Sequence, residues 1–224
     1  MLPCSFHERA LQFELGYSKE AERKQFFFTA GQEAFFEFVL RLLKPPFGGR
    51  VLDVGCGTGV LMSKIKKLGF NVIGVDVVPE NLMVENCEVR KVDLNQEALP
   101  FENQSFDIVV CTEVIEHLLY PHFALREIRR VLKLDGYAIF SFPNEYHFIM
   151  RALVLLGKRL SNHEFDTLGH HYYPSISSCE ELVKTEFVIE KELYNYRPNM
   201  FSFWPAMFAR NVFFRVSSKR GKRL

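Results

Sequence analysis

Residues 51–61 read VLDVGCGTGVL, an apolar run that carries one acid, Asp53, and then places glycine at every second position, Gly55, Gly57 and Gly59. Twenty residues on, a second apolar run, NVIGVD, ends in another acid, Asp76. Glycines in a strand-to-helix turn let a ligand lie close against the backbone, and an acid beside them suits a ligand with a positive end. A carboxylate at the end of the second strand can accept hydrogen bonds from both hydroxyls of a ribose. A purely structural turn is the bland reading, and three glycines in phase are more than such a turn needs.

Other glycine loops fit less well. A phosphate loop requires GxxxxGK[ST], and no lysine follows at that spacing. A dinucleotide loop wants GxGxxG, but the third glycine position counted from Gly55 holds Val60. The pair of acids therefore asks for a nucleoside with a cationic group and no pyrophosphate. S-adenosylmethionine has those properties.

The elements that must position these residues alternate. Residues 20–43 read as an amphipathic helix with Phe27, Ala30, Ala34, Phe38 and Leu42 on one face. Strands are expected over 50–55, 71–76, 87–93, 106–111 and 137–142, with helices over 60–68 and 121–133. Only about ten residues separate the second and third strands, too few for a full helix. A helix over 177–185 and two late strands, near VIEKEL and VFFRVSS, complete the pattern. Near-continuous apolar strands alternating with helices predict a parallel sheet covered on both faces, whose ligands bind at the carboxyl ends of the strands. The fold class is thus α/β, doubly wound and Rossmann-like.

Composition narrows the function. A formal net charge of +1 offers no basic surface for nucleic acid, so a nucleic-acid partner is not expected. Five scattered cysteines without a CxxC pair argue for a reducing compartment and against a disulfide framework. With no secretory pattern at the N-terminus and no run of ~20 apolar residues, the expected location is cytoplasmic. The basic end, SSKRGKRL, reads as a solvated tail.

Four motifs in order, VLDVGCGTGVL, VIGVD, VDLNQEALPFENQSFDIVVCTEVIEHL and LREIRRVLKLDGYAIFSFPN, resemble the class I S-adenosylmethionine-dependent methyltransferases of the type 11 group over residues 48–145. The resemblance implies a seven-stranded, mostly parallel sheet with helices on both faces and the last strand antiparallel. It also implies that Gly55 and Gly57 lie against the methionine part, with Asp53 anchoring its ammonium directly or through water and with Cys56 and Gly59 among the cofactor-binding residues. Asp76 would hold the ribose, Val77 would flank the adenine, and Asp93 with the Leu94 backbone would meet the adenine amino group. Thr112 and Glu113 would face the sulfonium. Two departures stand out: the second helix is nearly missing, and the usual LKPGG is LKLDG here. Implied divisions are an N-terminal helical segment (1–47), the cofactor-binding core (48–145), an acceptor lid (146–174) and a C-terminal helix and strands (175–224).

Methyl transfer needs an oriented acceptor, exclusion of water and, for a hydroxyl acceptor, removal of a proton. Candidates for the last role are His117, in the ExxEH run of Glu113, Glu116 and His117, and His171 in GHHYY. The same run supplies metal ligands in small-RNA 2′-O-methyltransferases, with His170 or His171 as a further ligand. The plain reading assigns no metal, with His117 bonding a loop and Glu116 on the surface. The segment FPNEYHFIMRALVLLGKRL (142–160) reads either as an ordinary lid helix or as an apolar entrance for a lipid-like acceptor with peripheral membrane contact. The leading expectation is O-methylation of a small or lipid-like acceptor. An RNA 2′-O-methyltransferase and a non-catalytic cofactor-binding subunit are the alternatives, and the oligomeric state stays open.

Overall fold

The computed structural model describes residues 30–44, 48–157, 171–172, 174–196 and 204–219. The expected start of the first helix, His170, the basic end of the lid and the last residues of the tail lie outside them.

The elements run α1 (Ala30–Leu40), β1 (Arg50–Val54), α2 (Val60–Lys67), β2 (Asn71–Asp76), β3 (Glu88–Lys91), β4 (Phe106–Thr112), α3 (Pro121–Val131), β5 (Leu132–Pro143), α4 (Phe148–Leu155), α5 (Ile176–Lys184), β6 (Phe187–Tyr196), α6 (Pro205–Phe208) and β7 (Ala209–Ser218). Seven strands form one sheet in the order β3-β2-β1-β4-β5-β7-β6. The first five are mutually parallel, and β7 is antiparallel to both β5 and β6. Between β2 and β3 stands only a single 3-10 turn, Pro79–Asn81, so the shortened crossover read from the sequence is what the chain contains.

Burial divides over the two faces of the sheet. Ala124, Leu125 and Ile128 of α3 and Cys179 and Val183 of α5 pack with Leu52, Val109 and Phe140 on one face. On the other, Val39 of α1 and Met62 and Ile65 of α2 pack with Val51, Val110 and Phe213. Alternate residues of each central strand therefore enter opposite cores, which is why these strands are apolar throughout.

Two boundaries differ from the sequence reading. The face of α1 that packs inward is Phe35, Phe38, Val39 and Leu42, and Ala34 is exposed. The large rings decide this, since Phe35 and Phe38 both lie against Phe213, with centroids 5.0 and 5.2 Å away. Second, α3 stops at Val131, and β5 begins at once and takes in LKLDG. Leu132 pairs with Phe106, and the register then shifts so that Tyr137 pairs with Ile108. Gly136 is required in this bulge, because a Cβ there would lie 2.7 Å from the Asp107 carbonyl oxygen. Asp107 secures the same corner, accepting from Arg50 N–H at 2.8 Å and from Lys133 Nζ at 2.6 Å.

Phe213 is wholly buried and couples α1 to the sheet. Phe213→Ala should cost about 3–5 kcal/mol in urea unfolding. The same substitution should raise amide exchange along α1 more than along α3, which packs on the opposite face.

Candidate functional site

The carboxyl ends of β1 and β4 adjoin where the strand order reverses, and the predicted residues gather there. Register places Asp53 level with Gly74 of β2 and Val110 of β4, so the chain leaves β1, β2 and β4 close to one another. The loop after β1 then folds back over β2. Gly55 and Cys56 N–H both donate to the Val75 carbonyl, at 2.8 and 3.1 Å. Gly57 N–H donates to Asp76 Oδ2 at 2.7 Å, and Val78 N–H donates to Asp76 Oδ1 at 2.9 Å. Each carboxylate oxygen of Asp76 thus holds one backbone donor and keeps capacity for another.

The three glycines have different reasons to be there. A Cβ on Gly55 would lie 2.2 Å from Val114 Cγ2, and one on Gly59 2.5 Å from both Leu82 Cδ1 and Val84 Cγ2. Those two are demanded by the protein's own packing. A Cβ on Gly57 would meet nothing within 4 Å, so this glycine fronts open space. Cys56 turns its side chain the other way, into the core under Gly74, where burial and the neighbouring acids push its thiol up. It is an inert thiol, and only its backbone can face a ligand.

Asp53 is 1% exposed, and its Oδ2 has no partner among the described residues. Burial and then the charge of Asp76 push its carboxyl to about 8. Val77, half-buried, follows Asp76 directly. Asp93 lies just past β3, its Oδ1 accepting from Asn95 N–H at 2.9 Å and its Oδ2 from Gln96 Nε2 at 2.8 Å. The Leu94 side chain belongs to the core, leaving its backbone for the loop.

Glu113 follows β4 directly with a φ of 54°, a left-handed conformation costing a non-glycine residue roughly 1–2 kcal/mol. Ser141 and Asn211 hold it there. Ser141 Oγ accepts from Glu113 N–H at 3.1 Å and donates to Glu113 Oε1 at 2.7 Å, and Asn211 Nδ2 donates to Oε2 at 3.3 Å. Neither partner was foreseen, although a serine inside YAIFSF was the available signal. Thr112 stands beside Glu113, opposite Ser141 in the sheet register.

The rest of the ExxEH run separates. A 3-10 turn over Ile115–His117 carries Ile115, Glu116 and Leu118 inward and leaves His117 exposed. Glu116 is therefore not a surface residue: it is 2% exposed, with neither carboxyl oxygen hydrogen-bonded among the described residues. Burial, then Glu113 and Glu145, hold its carboxyl well above the usual range. The backbone carbonyl of Glu116 accepts from His171 N–H at 2.9 Å. Among the described residues no three His, Cys, Asp or Glu side chains stand close enough to hold an ion.

Glu116 lines a cavity of about 1180 Å³. Its walls include Asn95 and Gln96 after β3, Ile115 and Glu116 after β4, Tyr120, His122 and Arg126 at the start of α3, Phe142, Tyr146 and Arg151 around the end of β5, and Tyr172, Pro174, Cys179 and Leu182 before and along α5. Two walls continue directly from Asp93 and Glu113, so the cavity adjoins the cleft where the predicted cofactor residues meet. His117 and His171 are not on its walls, but each sits one residue from a residue that is, Glu116 and Tyr172.

Known proteins of the same build carry the same architecture. Residues 27–186 match the family described as a methyltransferase domain. A ubiquinone biosynthesis O-methyltransferase of Glaesserella parasuis is 28% identical over 179 residues, covering 70% of this chain and 73% of that protein. One from Cereibacter sphaeroides is 37% identical over 122 residues, about half of each chain (50% and 49%). The crystal structure of a SAM-dependent methyltransferase from Thermotoga maritima superposes with a TM-score of 0.66 at 19% identity, covering 96% of this chain and all of the other. The chain belongs to the S-adenosylmethionine-dependent methyltransferases of the methyltransferase domain family. It is an enzyme of that class.

The different surroundings of the glycines can be separated by substitution. Gly57→Ala should fold with a loss of about 1 kcal/mol, set by its left-handed backbone alone. Gly59→Ala should melt well below it, because a new methyl must displace Leu82 and Val84. Thermal unfolding of both variants checks this.

Proposed function

We propose that the cleft holds S-adenosylmethionine and that the adjoining cavity receives a small or lipid-like acceptor, which is methylated on oxygen. The observation that carries this reading is the cavity itself, large, mainly apolar and lined by Asn95 and Ile115, each two residues beyond an expected cofactor residue, Asp93 or Glu113. The names of the O-methyltransferase relatives point the same way.

The residues suit the cofactor. Asp76 would receive the ribose hydroxyls on lone pairs left by Gly57 and Val78 N–H. Asp53, buried with an unpartnered oxygen, would meet the ammonium of the methionine part. Gly57 fronts the open space that the methionine backbone would need, with Gly55, Cys56 and Gly59 shaping the loop. Val77 would flank the adenine, Asp93 and the Leu94 backbone would meet its edge, and Thr112 and Glu113 would stand toward the sulfonium. The cofactor supplies a methyl group already activated on a cationic sulfur. What remains for the chain is to align the acceptor, shut out water and let the hydroxyl proton go. His117 and His171, flanking the cavity, are the histidines assigned to that proton.

The lid assignment also continues as a proposal. None of α4 is buried, and Leu155 is 87% exposed beside the exposed Val154 and Leu156. We assign this helix to the acceptor entrance, where an apolar tail or a membrane surface would cover it. Among the described residues no helix is long and apolar enough to cross a membrane. Hydrogen exchange across 146–157 should slow when cofactor and acceptor are added together. Protection equal to that of the strands in the free protein would contradict it.

Cofactor binding provides the sharper test. Asp76→Ala should weaken S-adenosylmethionine by roughly 1.5–3 kcal/mol in calorimetry, the loss of charge-assisted hydrogen bonds. Asp53 adds a sign. With its carboxyl raised from 3.8 to about 8, the empty protein buries it protonated at neutral pH. The stability this group contributes is complete below 3.8 and is lost as pH rises through about 8. An incoming ammonium favours the carboxylate, so binding at pH ~6.5 should release close to one proton. Calorimetry in two buffers of different ionisation enthalpy reads that proton, and Asp53→Asn should abolish it. Tight binding of NAD with none of S-adenosylmethionine would sink the assignment.

A further inference from the structure

We propose that the acceptor carries an anionic group, a carboxylate or a phosphate, on its apolar body, and that Arg126 and Arg151 receive that group at the cavity. The inference rests on the reading of the cavity as the acceptor chamber and adds the charge that the chamber selects.

The arginines of α3 have different surroundings. Arg129 pairs with Glu186 at 2.7 Å, and Arg130 pairs with Glu127 at 2.7 Å while donating to the Leu99 and Phe101 carbonyls. Arg126 has no carboxylate or carbonyl partner among the described residues, and of the three it is the one that lines the cavity. Helical spacing puts it there. It stands one turn beyond His122 and Phe123, which line the same cavity, so one stripe of α3 fronts the space. Arg151 reaches the cavity from a separate helix, α4. Its Nε donates to the Tyr146 carbonyl at 2.6 Å, which fixes the guanidinium beside another wall residue and leaves its terminal nitrogens without a partner among the described residues.

No acid on the walls answers these cations. Glu116 is the one carboxylic side chain among the wall residues, and both its oxygens are enclosed. Much of the remaining lining is apolar, as Leu119, Phe123, Phe142 and Leu182 are. A guanidinium presents a planar fork of donors that matches a carboxylate or a phosphate, and its charge counts for more beside apolar walls than in open water. One exposed arginine on a surface helix is ordinary. Two from different helices on one apolar cavity, with no exposed acid among the wall residues, fit an anion attached to an apolar body.

The test uses the full chain with octanoate, octyl phosphate and octanol, which share a tail and differ in the head group, followed through the Ile115 and Leu182 methyl signals by NMR. At neutral pH and low salt, at least one of the two anions should bind about tenfold more tightly than the alcohol, the effect of one charge-assisted hydrogen bond. The tighter of the two identifies the head group as carboxylate or phosphate. Added salt should shrink the preference. Arg126→Gln combined with Arg151→Gln should erase it while S-adenosylmethionine binding is unchanged. Equal affinity for the anions and the alcohol, a preference that salt leaves intact, or its persistence in the double variant overturns the assignment of the arginines and leaves the chamber standing. Acetate or inorganic phosphate binding as tightly as its octyl counterpart marks a site for free anions and overturns it as well. If none of the three octyl probes shifts the two methyl signals while S-adenosylmethionine still binds, the chamber reading fails and the assignment falls with it.

Discussion

The hydrogen bonds that lay the loop Gly55–Gly59 back over the end of β2 set the geometry of everything around them. Two N–H groups on one carbonyl, Val75, and a third on the Asp76 carboxylate close the turn within the width of a single strand pair. Only a chain free of side chains at Gly55 and Gly59 can make that turn, because Val114, Leu82 and Val84 already occupy the space. The loop is therefore clamped from two directions, by β2 beneath it and by the segments after β2 and β4 beside it. Gly57 is left facing outward, and Asp76 is held by two backbone donors.

This arrangement has an electrostatic cost. Asp53 lies at the buried root of the loop with a like charge close by, and its carboxyl is pushed up as a result. Glu116, on the far side of Glu113, is in a similar position. Buried acids whose carboxyls are pushed up are poorly explained by stability alone, since apolar residues of similar size would lower the energy of the empty protein. The proposed cofactor would supply such a partner from outside, its ammonium for Asp53. The left-handed Glu113, tied to Ser141 and Asn211, joins the end of β4 to β5 and β7.

The two faces of the sheet divide the remaining work. The face bearing α1 and α2 is closed by stacked phenylalanines and supports the glycine loop from below. The face bearing α3 and α5 is closed along its middle but opens at the carboxyl ends of the strands, where the beginnings of those helices and Arg151 of the exposed α4 line the cavity. Short turns after β3 and β4 bring Asn95 and Glu116 to the same opening. The missing helix after β2 removes nothing from this opening, because the turn Pro79–Asn81 lies on the side of the glycine loop.

What was legible in the sequence was whatever has local cause. Apolar strands such as RVLDV and FDIVVC, the glycine phase and the acids Asp53 and Asp76 all declare themselves within a few residues, and the sheet follows from the alternation of strands and helices. Position around a helix or turn was decided elsewhere. The inward face of α1 depended on Phe213, more than 170 residues away, and the early start of β5 depended on Gly136 fitting over Asp107. Ser141 and Asn211 became partners of Glu113 only because β5 and β7 pair antiparallel. Glu116 and His117 are adjacent in the chain and equally polar, so no local pattern distinguishes them. A single 3-10 turn, packed through Ile115 and Leu118 into the core, buries the first and exposes the second. Burial is a property of what comes to lie against a residue from distant parts of the chain, and that the tertiary structure alone decides.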